Sequence, residues 1–151
     1  MFSIAVGYPD EAEELEIVRK TTSGAQARVE KVLGPREIEV FQEAVLKMPV
    51  ADSALRYAVE VVRATRPGEG APAEVNEWIQ WGAGPRAAQH LVLGAKARAL
   101  LAGRYAAGPE DVRALVAPVL GHRIVMNFKA EAKGVLAGEI LALLAQKVPV
   151  V

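Results

Sequence analysis

Three times in this chain a Gly-Pro pair stands directly before a helix-forming run: Gly34-Pro35, Gly84-Pro85 and Gly108-Pro109. Proline suits the first helical position, because its missing N–H would have no partner there and its fixed φ is already helical. Other breakers stop what these pairs start. Pro49 ends the second run, Gly103 ends a longer one, and Pro67, Gly68, Gly70 and Pro72 make the stretch from Arg66 to Pro72 the clearest irregular loop. A chain cut this way folds as short helices with short connections, and a helical bundle is the expected mostly-α solution. With 151 residues, 52% of them hydrophobic, it can bury one real core.

The periodicity fills in the segments. Asp10 to Thr21 places acids first and bases last, which complements the helix dipole, and Asp10 with Glu13 has capping-box spacing. Thr21 to Ala27 reads as a polar loop, and the segment holding Val29, Val32 and Leu33 reads as a short strand or a turn. The second helix runs from Pro35 to about Leu46, with Ile38, Phe41 and Val45 on one face. A third, capped by Asp52 or Ser53, runs to about Ala64 with Leu55, Ala58, Val59 and Val62 as its apolar stripe. A short helix is expected over about Ala73 to Trp81, with Trp78 and Trp81 as core anchors. The alanine-rich run from Pro85 to about Ala102 allows close approach of a neighbour. From Pro109, Val112, Leu115, Val116, Val119 and Leu120 keep helical spacing, with Pro118 placed to kink it. His122 to Phe128 reads as extended, and a last helix covers Ala137 to Lys147 with Ile140, Leu143 and Leu144 inward. Phe2 to Gly7 reads as one buried strand, yet nothing after it supplies a sheet, and a lone strand is unstable without partners.

Composition excludes several functions. Lys+Arg 18 balances Asp+Glu 18, so there is no clustered basic excess of the kind nucleic-acid binding needs. No cysteine is present, which removes disulfides and thiolate metal sites and fits a reducing, cytoplasmic setting. The two histidines, His90 and His122, are far apart in sequence, against a histidine-rich metal site. The start lacks the basic region of a signal peptide, and the most apolar stretch, Val135 to Val148, is broken by Glu139 and Gln146, so no membrane segment is expected. No phosphate loop, no strand ending in Asp-Glu, no G-x-S-x-G and no H-E-x-x-H occurs.

What remains is Trp81-Gly82-Ala83-Gly84-Pro85-Arg86-Ala87. It sets an arginine in the first turn of a helix, where the partial positive charge of the helix end makes a cation mildly unfavourable. Two readings resolve this. Arg86 pairs with a nearby carboxylate on a solvated surface, or the unpaired N–H groups and the guanidinium fork together receive an anion such as phosphate. His90, one turn on, either lines the same site or is a partly buried, hydrogen-bonded structural histidine. His122 beside Arg123 reads as structural.

Five strings in order carry a resemblance: Phe2 to Glu11 (a strand, Tyr-Pro and an acidic start), Arg63-Ala64-Thr65-Arg66, Trp81 to Ala87, Pro109 to Leu115, and His122-Arg123-Ile124 followed by Asn127 to Ala132. Together they resemble the MoxR family of AAA+ ATPases along essentially the whole chain. Gly108, where the family often has a Ser or Thr cap, Gly121 in place of an arginine, and Lys133 in place of an acid depart from the pattern.

The resemblance implies that residues 1–9 are the end of an α/β core and 10–151 a helical lid of the AAA+ type. It implies that Arg86 is the sensor 2 arginine reaching the terminal phosphates of ATP, with Gly84 and Pro85 shaping its turn, and that Tyr8 and Pro9 lie at the core–lid junction, where adenine packs. ATP and Mg would be held by the full-length parent and not tightly by this chain, which lacks the phosphate loop and the magnesium-binding acids and by itself is expected to be inactive. The implied partners are its own AAA+ core, neighbouring subunits of a hexamer, and von Willebrand factor A domain proteins, with ATP hydrolysis coupled to client remodelling in the cytoplasm; neither nucleic acid nor membrane is among them. The residues by themselves also allow a free-standing helical interaction module that binds another protein through an apolar groove, with Arg86 in a structural ion pair.

Overall fold

The computed structural model describes residues 1–24 and 28–150; the Ala25–Ala27 part of the expected polar loop, and Val151, lie outside the described residues. Helix α1 (Glu11–Thr22) opens with the expected capping box: the Glu13 N–H donates to Asp10 Oδ1 at 2.9 Å and the Asp10 N–H to Glu13 Oε2 at 3.1 Å. It buries no residue. Helix α2 (Pro35–Lys47) starts where its Gly-Pro pair puts it; helix α3 (Asp52–Ala64) follows with Ala51 as its N-cap and no side-chain cap bond, so neither Asp52 nor Ser53, already inside the helix, caps it. After the glycine-rich loop come α4 (Ala73–Trp78), strand β1 (Ile79–Trp81) and the long α5 (Pro85–Leu101). Two one-turn helices, α6 (Pro109–Arg113) and α7 (Val116–Leu120), lead to strand β2 (Val125–Met126), α8 (Phe128–Lys133) and α9 (Ala137–Lys147).

Helix α5 is the centre. Helices α2, α3, α6 and α7 pack on it, α9 closes the far side against α7 and α3, and α4 and α8 flank the antiparallel β1–β2 ribbon. Its alanines allow this: Ala87, Ala95 and Ala99 are buried and Leu91 stands among them as the one large side chain. Gly94 is equally constrained, since a Cβ there would lie 2.7 Å from Leu115 Cδ1 and 3.0 Å from the Phe2 ring. The rest of the core comes from Ala54, Tyr57, Ala58, Val61 and Val62 of α3, Val112, Val116, Val119 and Leu120, and Ile140, Leu141 and Leu144 of α9.

Several expectations shift by a residue or a turn. The α3 stripe keeps Ala58 and Val62, but Tyr57 and Val61 take the places expected of Leu55 and Val59, which are exposed. Trp81 is 67% exposed and is no core anchor: the ladder is irregular between Ile79 and Trp81, so Ile79 faces inward and alternation does not return Trp81 to that side. Trp78 is half-buried, with the Lys129 ammonium 4.9 Å from its ring centroid. Residues 2–7 form no strand. Phe2 packs against α5 and the Ser3 N–H donates to Pro118 O at 2.8 Å, but Ile4 and Val6 stand in solvent, because no neighbouring strand offers them an edge. Residues 28–33 are likewise neither strand nor helix.

Tyr57 ties α3 to α9. Its buried hydroxyl donates to the Ala145 carbonyl at 2.6 Å and receives Arg113 Nε at 3.3 Å. Tyr57→Phe would leave that carbonyl without its donor and is expected to cost about 1–2 kcal/mol, measured as a lower midpoint at unchanged slope in urea unfolding.

Candidate functional site

The first turn of α5 is held by the end of α3. The chain leaves α3 at Thr65, which is fully buried and whose Oγ1 donates to Val62 O at 2.7 Å while accepting the Ala83 N–H at 2.9 Å. Arg66 then donates from Nε to the Ala83 carbonyl at 3.0 Å. Both polar groups of the Ala83 backbone are thus bound by consecutive residues of one segment. Gly82 makes this approach possible, since a Cβ on it would lie 2.5 Å from Thr65 O and 2.6 Å from Arg66 Cα. The string Arg63-Ala64-Thr65-Arg66 and the string Trp81 to Ala87, separate in sequence, form one clamp.

That clamp delivers a bare helix start. Gly84 is the N-cap, in extended conformation and without a side-chain acceptor, Pro85 follows, and the first turn carries no acid. Arg86 is exposed, and among the described residues it has neither a carboxylate within 4.0 Å nor a side-chain hydrogen bond. Of the first N–H groups, Pro85 has none and the buried Ala87 N–H donates to Gly84 O at 3.0 Å, so among the described residues the Arg86 N–H and its exposed guanidinium are what the helix start leaves unused. Among the described residues Arg86 makes no structural ion pair of the kind expected for a free-standing module.

His90 lies one turn along the same face, half-buried. Arg123, in the turn between α7 and β2, donates from Nη2 to His90 Nδ1 at 2.7 Å and from Nη1 to Val119 O at 3.1 Å. Burial first, then the charges of Arg123, the amino terminus, Arg86 and His122, hold the His90 imidazole below its ordinary pKa. His122 is exposed, and its Nε2 touches Arg123 Nη1; it too is held low, by partial burial and by Arg123. Tyr8 and Pro9 lie elsewhere: they line an open hollow of 580 Å³ with Glu13, Glu16, Ile17 and Lys20 of α1, and no residue of α5 borders it.

The helix start and its arginine fit a phosphate: positive partial charge, the free Arg86 N–H, a guanidinium fork and no acid in the first turn. Among the described residues no group of three His, Asp or Glu side chains gathers that could hold a metal ion. Among the described residues no helix is long and apolar enough to cross a membrane.

The class follows from the sequence of this bundle: residues 72–143 match the family model described as the AAA lid domain. The chain is 35% identical over 134 residues to Chaperone MoxR1 of Mycobacterium tuberculosis, across 87% of this chain and 35% of that protein. It is 49% identical over 55 residues to Protein MoxR of Paracoccus denitrificans, across 36% of this chain and 16% of that protein. A crystal structure reported for a candidate ATPase of Cytophaga hutchinsonii superposes over 100% of this chain and 46% of its own, with a TM-score of 0.87 at 31% identity. The chain belongs to the MoxR family of AAA+ ATPases and carries its lid domain. It spans about a third of the length of MoxR1.

Proposed function

We propose that this chain is the nucleotide-sensing lid of a MoxR-type ATPase, with Arg86 the residue that contacts the terminal phosphates of ATP. In this reading residues 1–9 belong with the α/β core and 10–151 form the lid. The observation that carries it is the unpaired Arg86 on an uncapped helix start, in a chain that is an AAA lid. Gly84 and Pro85 supply the turn, and Tyr8 and Pro9, at the junction, offer an apolar surface for adenine. ATP and Mg are held chiefly by the core, whose phosphate loop and metal-binding acids this sequence does not contain; magnesium-bound ATP supplies the phosphoryl group to be transferred. Arg86 contributes a fixed positive fork where negative charge gathers. Because Arg86 rides on the central helix, its contact with phosphate links the nucleotide state to a rigid-body position of the whole lid. In a ring of subunits, a hexamer in the family pattern, that movement is the one that remodels or activates client proteins, von Willebrand factor A domain proteins among them.

The test is Arg86→Ala in the protein that carries both core and lid. Loss of one charge-assisted contact is expected to lower ATP turnover roughly 10- to 100-fold, with the circular dichroism and unfolding midpoint of the lid unchanged. Wild-type turnover in this variant would remove the sensor role.

A further inference from the structure

We infer that Arg123 is a second cation of the anion site at Arg86, held in place by His90, and that the site takes a polyphosphate chain. This rests on the reading of Arg86 as a phosphate contact and extends that site to a second segment, the turn between α7 and β2. A guanidinium only donates, so the 2.7 Å contact from Arg123 Nη2 makes His90 Nδ1 the acceptor. His90 is therefore neutral, with its proton on Nε2. It fixes one arm of Arg123 while the Val119 carbonyl and His122 Nε2 occupy Nη1. The Nε–H and one Nη2 hydrogen of Arg123 are left without a partner among the described residues.

The surrounding charges make this arrangement informative. Arg104 and Arg98 share the Asp111 carboxylate, whereas Arg66 on the Ala83 carbonyl, Arg113 on Tyr57 and Arg123 on Val119 and His90 meet only neutral acceptors. Arg86 and Arg123 have no carboxylate within 4.0 Å among the described residues, although the chain has as many acids as bases. Both guanidinium groups thus act on the His90 ring, and among the described residues neither has a carboxylate within 4.0 Å. Arg86 and His90 are one turn apart on α5, roughly 5–6 Å between Cβ atoms, and Arg123 donates to that same His90 ring. Cations spread over that distance suit an anion whose charge runs along a chain of phosphates better than one compact carboxylate.

The experiment follows arginine Nε–H signals by NMR while the whole chain is titrated with inorganic tripolyphosphate, which lacks the adenine. Arg86 and Arg123 are expected to shift together on one binding curve. Arg123→Gln is expected to weaken binding roughly tenfold, the loss of one charge-assisted hydrogen bond. His90→Leu, which frees Arg123, weakens it in the same direction, and His90→Asn, which returns an acceptor near the Nδ1 position, restores it. If Arg86 responds while Arg123 stays still and Arg123→Gln binds like the wild type, the inference falls and the Arg86 reading stands. If neither arginine responds, the inference falls, and turnover of Arg86→Ala still decides the sensor role separately. Should Arg123→Gln fail to fold, the response of the Arg123 signal in the wild-type chain decides between these outcomes.

Discussion

Replacing Asp111 with alanine is expected to destabilise the chain by about 3–5 kcal/mol, more than any other single change to a charged residue here. Its carboxylate is fully buried at the start of α6, yet it faces two arginines. Arg104 grips both oxygens, with Nη1 at 2.6 Å from Oδ2, and Arg98 Nε stands 3.4 Å from Oδ1. The same carboxylate accepts the Gly108 N–H at 3.0 Å and so caps the helix that Gly108 has no side chain to cap. Alanine removes the cap, the anion and the filling of the space together. It leaves Arg104, half-buried, beside Glu110 alone. Asp111→Asn keeps the volume but not the charge, and is expected to fall between the two. Equilibrium urea unfolding of the three proteins measures the order.

The pH dependence carries a sign. The Arg104 hydrogen bond, more than any other contact, holds the Asp111 carboxyl below the usual aspartate range; the Gly108 N–H and the charges of Arg104 and Arg98 add to it against the cost of burial. A depressed folded value means that the stabilisation is complete above the unfolded pKa, near 4. It fades as the pH falls below that, until the folded value is passed. Wild type should therefore lose stability on acidification below about pH 4 more steeply than Asp111→Asn, which has no proton to take up at this position.

What is legible in the sequence is local, and what it conceals is tertiary. The starts of α2, α5 and α6 are readable because proline at the first helical position acts through its own backbone. Periodicity puts a kink at Pro118 within one helix, yet the break between α6 and α7 lies a turn upstream, at Ala114 and Leu115. The reason is in proline itself, which removes the bond to the carbonyl four residues earlier and crowds that carbonyl, here Ala114. Helix α8 falls in and beyond a stretch that reads as extended, although its own signals are present: Asn127 caps it, accepting the Ala130 N–H at 2.9 Å, and Gly134 ends it at φ 70°. Six residues are too short for periodicity to register. At the candidate site, Arg86 is legible from its own turn. Thr65, Arg66 and Arg123 are not, because each acts on a residue 17 to 33 positions away. Only the recurrence of their strings beside the Arg86 string hints at them.

Gly82→Ala tests whether the α3 clamp positions Arg86. The added Cβ would meet Thr65 O at 2.5 Å, Arg66 Cα at 2.6 Å and Arg66 N at 2.7 Å, all of them backbone atoms that no rotamer change can move. Relief requires the turn to part from α3. That movement breaks the Thr65 bond to the Ala83 N–H and the Arg66 bond to its carbonyl. Overpacking of this kind costs typically 1–3 kcal/mol, and two hydrogen bonds add about 1 kcal/mol each, so a loss of roughly 3–5 kcal/mol is expected in urea unfolding. Gly138→Ala, exposed on α9 and away from the clamp, is the control: its Cβ would meet nothing within 4 Å, and alanine in a helix is favoured over glycine, so no loss of stability is expected. The two variants differ in what they do to Arg86 without touching its side chain. If the clamp sets the start of α5, Gly82→Ala lowers ATP turnover in the core-and-lid protein even at temperatures where the lid remains folded, and Gly138→Ala does not. Equal turnover in the two would mean that the position of Arg86 does not depend on Thr65 and Arg66.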